Sequence, residues 1–136
     1  MNTMHRVLIS LASNHRRQQH LQQAREALRQ VLSHEAYTPV VGTPDAAATK
    51  LVADTKSYLN QLVVAFTTLP ADELCQQLKQ IEVSLGRTSE MRQRGIVPID
   101  LDLLRYDQER HHLPDWHRPY TKQLLTLPTN SELQKD

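Results

Sequence analysis

The sequence predicts an α+β domain in which one antiparallel sheet carries two helices on one face. Two observations point there. Four β-rich segments alternate with two amphipathic helical patterns in the order strand, helix, strand, strand, helix, strand. Aromatic residues are only 4% of the chain, with one Phe and one Trp, so the core must be aliphatic.

Arg6 to Leu11 (RVLISL) reads as the first strand. Ser13 or Asn14 is placed to cap a helix from about Arg17 to Leu32, whose apolar positions Leu21, Ala24, Leu28, Val31 and Leu32 form one stripe. His34 to Val41 reads as a strand broken by Pro39. Gly42 to Lys56 carries turn residues and small side chains without a stripe and reads as a long loop, a kind of segment often tied to function.

Tyr58 to Thr68 is the clearest strand, with Leu62, Val64 and Phe66 on one face. Pro70 opens the second helix, Asp72 and Glu73 suit its positive end, and Leu74, Leu78, Ile81 and Leu85 make its stripe. Gly86 ends it. Arg87 to Val97 is polar and reads as a second loop, and Pro98 to Tyr106 as the last long strand. Asp107-Gln108 then turns the chain into a short hairpin through Arg110 to Leu113. This βαββαβ order is that of the ferredoxin-like sandwich. Residues 1–128 are expected to form one domain and 129–136 a frayed tail.

The 136 residues suffice for a real core, and the formal charge of +1 argues against nucleic-acid or acidic-membrane partners. The lone Cys75 excludes an internal disulfide, and no apolar run approaches the roughly 18 residues of a membrane span. A cytoplasmic, soluble monomer is the expectation.

Asp100-Leu101-Asp102 is the sharpest chemical signal. Residues i and i+2 of a strand share a face, so both carboxylates point one way while Ile99, Leu101 and Leu103 point to the core. Such a pair suits hard cations such as Mg²⁺, although in isolation it is as a rule a solvated strand face. Glu82 lies at the edge of its helix stripe, where a surface carboxylate is the ordinary reading. Tyr58 and Asn60 share a strand face, and an Asn amide can both donate to and accept from a flat heterocycle. Arg92 and Arg94 sit in a loop that could meet phosphates. The seven histidines show no zinc spacing, and no P-loop, dinucleotide or hydrolase motif is present.

Taken in order, these segments resemble the hydroxymethyldihydropterin pyrophosphokinase family. The resemblance runs over roughly residues 6 to 125. It rests on Ala12-Ser13-Asn14 where the family has Gly-Ser-Asn, Tyr37-Thr38-Pro39 before a long loop, Tyr58-Leu59-Asn60, Ile81-Glu82 with Gly86-Arg87, Asp100-Leu101-Asp102-Leu103-Leu104, and Leu113-Pro114. It implies transfer of a pyrophosphoryl group from ATP to the hydroxymethyl of a reduced pterin, in folate synthesis, with release of AMP. By that resemblance Asp100 and Asp102 hold two Mg²⁺ ions. The pterin is met by Asn60, with Thr38, Pro39, Gly42 and Tyr58 around it. The nucleotide side takes Glu82, Arg87, Arg92 and Arg94, with Trp116 available for stacking.

The chain departs from the family in several places. Ile96-Val97-Pro98-Ile99 stands where the family has Gly-Pro-Arg-Thr, so the arginine position is Val97. Arg94 replaces a loop tryptophan, Asp115-Trp116 replaces His-Tyr, and the stretch at Thr121-Lys122-Gln123 lacks the family's Arg-Gly-Phe. Two other readings therefore stay open: a member of the family that binds a pterin or nucleotide with little or no turnover, and an unrelated ferredoxin-like regulatory or interaction module.

Overall fold

The computed structural model describes residues 3–44 and 57–126. The first strand, β1, is His5–Ser13, and the first helix, α1, is Arg17–Leu28. Two short strands follow, β2 (Ser33–Tyr37) and β3 (Val41–Pro44), and then the long strand β4 (Ser57–Thr67). The second long helix, α2, is Ala71–Ser84, and a short one, α3, is Ser89–Gln93. Strand β5 (Asp100–Tyr106) turns into β6 (Glu109–Arg110), and α4 (Leu113–Trp116) and α5 (Pro119–Thr126) complete the described chain.

The six strands make one sheet in the order β2-β4-β1-β5-β6, with β3 also on β4, and every pairing is antiparallel. β2 and β3 lie end to end along the same edge of β4: Ala36 pairs with Val64, and Val41 with Asn60. The broken second strand of the sequence reading is thus two strands, interrupted at Thr38–Val40. The predicted loop from Gly42 begins as β3; its remainder, residues 45–56, lies outside the described residues, as does the tail expected to fray.

One face of the sheet carries α1 and α2, as the stripes predict. Leu21, Ala24 and Leu28 of α1 and Leu74, Leu78 and Ile81 of α2 pack on Val7, Ile9, Leu11, Val63, Ala65, Leu101 and Leu103. Burying a side chain of this size stabilises the fold by about 1.5–3 kcal/mol, so this layer is its chief cohesive element. The second face has a smaller core of Leu8, Leu62, Val64, Leu104 and Leu124, the last supplied by α5. The C-terminal helices α4 and α5 are an addition to the predicted pattern.

Local chemistry explains the other boundaries that moved. α1 ends at Leu28 because the next turn tightens: the Val31 and Leu32 amides both donate to the Leu28 carbonyl. Neither Ser13 nor Asn14 caps this helix. Its N-cap is Arg16, with left-handed backbone and no side-chain bond. The polar stretch Arg87 to Val97 is not all loop, since Thr88 accepts the Met91 amide at 3.2 Å and starts α3. Between Leu8 and Ile9 the β1–β5 register slips: Leu8 faces Arg105 and Ile9 faces Leu103. Leu104 is the extra residue of this bulge: alternation already sends Leu103 into the first core and Leu104 into the second, and the bulge keeps Arg105, opposite Leu8, on the second face as well.

Candidate active site

Asp100 and Asp102 enter β5 with the alternation the sequence implies: Leu101 and Leu103 are buried against α1 and α2, and the two carboxylates project from the opposite face. α2 runs alongside, and its last turn brings Glu82 to the open edge of β5. Glu82 is 7% exposed, not the surface residue that helix patterning suggests. Its Oε2 accepts the Leu101 amide at 2.8 Å. That N–H points away from β1 and would otherwise be an unpaired donor on a strand edge.

Arg87 reaches the same place through the end of α2. Gly86 adopts φ 104, a conformation open to glycine, and the chain closes with Gly86 N–H on the Val83 carbonyl and Arg87 N–H on the Glu82 carbonyl. This turn lays Arg87 over Glu82. Its Nη1 stands 3.0 Å from Glu82 Oε2 and 2.9 Å from Asp100 Oδ1, and donates a longer bond of 3.3 Å to the Ile99 carbonyl.

The electrostatics follow from crowding. Burial and the neighbouring Asp100 charge push the Asp102 carboxyl up to about 8. Burial also raises Glu82, outweighing the Leu101 amide and Arg87, which pull it down. Burial lowers the Arg87 pKa, but its hydrogen bond to Asp100 and the surrounding carboxylates more than offset this, leaving it above the usual value. One guanidinium is thus shared among several acids. The excess negative charge on β5 and the all-oxygen donor set suit a hard divalent cation held by Asp100 and Asp102.

These groups open on a pocket of about 430 Å³ lined by Lys79, Glu82, Val83, Arg87, Thr88, Ser89, Arg92, Asp100 and Asp102. Of the residues singled out from sequence, Glu82, Arg87, Arg92, Asp100 and Asp102 come together here. Lys79 was missed, although it sits three residues before Glu82 and so shares its helix face. Val83, 69% exposed at the pocket wall, was missed as well. Arg94 is exposed at the end of α3 and does not line this pocket.

The other predicted residues lie across β1. Asn60 pairs with Ala12, and Ala12 pairs on its far side with Asp100. The three side chains share one face, so Asn60 and Asp100 are about 10 Å apart with only a methyl group between them. Asn60 is 2% exposed, and its Nδ2 donates to the Val41 carbonyl at 3.3 Å. Thr38 is buried and clamps β4: its Oγ1 accepts the Leu62 amide at 2.9 Å, and its carbonyl accepts from Gln61 Nε2 at 2.8 Å. Pro39 is exposed, Gly42 pairs with Leu59, and Tyr58 pairs with Thr43. Asn14, expected as a cap, instead ties the end of β1 to the segment before β5: its side chain donates to the Gly95 carbonyl at 2.8 Å and accepts the Val97 amide at 2.6 Å.

Trp116 stands elsewhere. Its indole N–H is shared between the Leu104 and His111 carbonyls, both at 3.1 Å, and the guanidinium groups of Arg105 and Arg110 lie over its ring, 5.5 and 4.4 Å from the centroid. It fastens α4 to β5 and does not line the acidic pocket. Two side chains that sequence reasoning passed over come with it. His112 Nε2 stands 4.0 Å from Asp102 Oδ1, and Asp115 adds its negative charge to those felt by Asp102.

Comparison with known proteins agrees with this geometry. The model of the 7,8-dihydro-6-hydroxymethylpterin-pyrophosphokinase family matches residues 8–136. The chain belongs to that family. A mitochondrial folate synthesis bifunctional protein of Pisum sativum is 39% identical over 77 residues, which cover 51% of this chain and 15% of that protein. The matched residues include both Asn60 and Asp100. Among the described residues no helix is long and apolar enough to cross a membrane.

Proposed function

We propose that the protein transfers the pyrophosphoryl group of ATP to the hydroxymethyl oxygen of 6-hydroxymethyl-7,8-dihydropterin. The new bond forms between that oxygen and the β-phosphorus, the bond from the β-phosphorus to the oxygen bridging it to the α-phosphorus breaks, and AMP leaves. The observation that carries this reading is the placement of Asp100 and Asp102 on one sheet face, beside cations and one methyl-lined row away from Asn60.

Each group has a physical task. Asp100 and Asp102 would hold Mg²⁺, which would supply charge neutralisation of the triphosphate for an in-line displacement. Arg87, fixed by Glu82, keeps Asp100 oriented and presents positive charge at the pocket wall. Lys79 and Arg92 line the same pocket and meet the phosphate oxygens as charge-assisted donors, each contact contributing about 1.5–3 kcal/mol. Asn60 reads the polar edge of the pterin, with Thr38, Pro39, Gly42 and Tyr58 forming the strand edge beside it. The small Ala12 leaves room for a flat ring, so that its hydroxymethyl arm points toward Asp100. Much of the rate then comes from alignment. Folate synthesis is the process this reaction serves.

A second reading, binding without turnover, is favoured by Val97. It stands where the family has an arginine, and its amide is taken by Asn14. Release of AMP from Mg-ATP and 6-hydroxymethyl-7,8-dihydropterin separates the two, with Asp100→Ala as control. Pterin-dependent AMP that disappears in the variant supports the kinase. Folded protein that binds the pterin but releases no AMP supports the second reading.

A further inference from the structure

We infer that His112 is a movable third protein donor to the ion at Asp100 and Asp102, and that it makes this site favour ions with an appetite for imidazole, Co²⁺ in particular, over Mg²⁺. The inference rests on the reading of the acid pair as a metal site. Among the described residues no three His, Cys, Asp or Glu side chains stand as a ready cage. The ion's inner sphere must therefore be completed by water, by phosphate oxygens or by a side chain that moves in.

His112 is the side chain placed to do so. Its Nε2 lies 4.0 Å from Asp102 Oδ1, too far for a hydrogen bond. An ion bound at about 2.1 Å to each of two donors spans a donor–donor distance of about 3.0–4.2 Å, depending on whether they are cis or trans. The observed separation falls within that span. The backbone is held where this requires. The His111 amide donates to the Leu104 carbonyl, the Trp116 indole binds the Leu104 and His111 carbonyls, and the Asp115 amide binds the His112 carbonyl. The imidazole itself is half exposed and makes no capping bond to α4. His112 also has φ 51 and ψ 54, a left-handed conformation that residues with a side chain seldom adopt. This conformation sets the direction in which its side chain leaves the turn.

Imidazole nitrogen changes the site's preference in a definite direction. Two carboxylates alone suit Mg²⁺, whereas a nitrogen donor adds affinity for ions later in the first transition row. If His112 were only an imidazolium counterion to Asp102, it would oppose every dication alike, and its removal would strengthen Co²⁺ and Mg²⁺ together.

The test titrates the full chain with Co²⁺, followed by its visible absorption, and with Mg²⁺ by competition. The variants are His112→Asn, which tolerates the left-handed backbone, and Asp102→Asn. His112→Asn is expected to weaken Co²⁺ by about 10–100-fold, the scale of losing one group that supports a metal, and Mg²⁺ by less than about 3-fold, since Mg²⁺ depends on oxygen donors. A paramagnetically shifted imidazole N–H resonance in the Co²⁺ protein should vanish with it. Parallel changes in the two ions, or a persisting resonance, overturn the role of His112. Co²⁺ binding that survives Asp102→Asn overturns the metal reading of the acid pair itself, and the inference with it.

Discussion

The contact between Glu82 and the Leu101 amide links the stability of β5 to the geometry of the pocket, and two substitutions divide its parts. Glu82→Ala removes both the acceptor of the Leu101 N–H and the anionic partner of Arg87. An orphaned buried amide costs about 1–3 kcal/mol. The ion pair is screened, because the Arg87 side chain is 24% exposed, and adds about 0.5–1 kcal/mol. The total loss is therefore about 1.5–4 kcal/mol. Glu82→Gln keeps an acceptor of the same shape and gives up only the charge, so it should cost about 0.5–1 kcal/mol by the same reasoning. Urea unfolding measures both, and an unchanged denaturant slope confirms that the denatured state is the same. The gap of about 1–3 kcal/mol between the variants is the signature of the strand-edge bond. Equal losses in the two variants would refute it, and would mean that Glu82 acts through charge alone.

Two further outcomes follow from the same site. Gly86→Ala places a side chain at φ 104 where nothing lies within 4 Å, so the penalty is conformational and not steric; it should cost about 1–2 kcal/mol and weaken nucleotide binding by disturbing Arg87, as calorimetry with an ATP analogue would detect. Asp102, raised to about 8 by burial and Asp100, keeps a proton in the folded state that the unfolded chain has already lost above its ordinary carboxylate pKa. With more protons bound to the folded form, the metal-free protein must lose stability as pH rises from about 4 toward about 8. Asp102→Asn should flatten that dependence, measured as urea midpoints at pH 5 and 8 with a chelator, and parallel curves for the two proteins would contradict it.

What the sequence made legible was what repeats. The 3.6-residue stripes of α1 and α2 and the alternation around Asp100-Leu101-Asp102 are periodic signals, and the structure realises them in the first core. Single contacts set the features that were missed. Asn14 looks like a helix cap, but its amide instead binds the backbone at Gly95 and Val97, some eighty residues away, which no local rule anticipates. Glu82 looks like a surface residue because patterning weighs hydrophobicity and not the strand-edge amide that the acid satisfies. Among the described residues, the apolar contacts of α4 and α5 with the second core are Leu124, Leu125 and the half-buried Trp116, too few positions in sequence to define a stripe. The approach of His112 to Asp102 depends on a hairpin, a left-handed residue and an indole anchor acting together.

The charges of the pocket bear on how a member of this family that lacks one arginine would meet the metal-nucleotide complex of the proposed reaction. Its lining holds three cations, Lys79, Arg87 and Arg92, and three carboxylates, Glu82, Asp100 and Asp102. Their formal charges cancel, as do those of two Mg²⁺ ions on a tetraanionic nucleotide. The two signs are segregated: the cations come from α2 and the segment through α3, and two of the carboxylates come from β5. Glu82 and Arg87 form the seam between them. Such a surface would attract a metal toward β5 and phosphate toward the helices, so on the proposed function the complex would be oriented by the dipole of the pocket and not by its net charge. An arginine at position 97 would add positive charge beside β5, where the metal competes for the same carboxylates. Val97 supplies no such charge, so on the proposed function the metal would be held without that competitor while the phosphates would lose one cation. The cost of the substitution should therefore appear in nucleotide affinity measured at saturating metal, and much less in metal affinity measured without nucleotide.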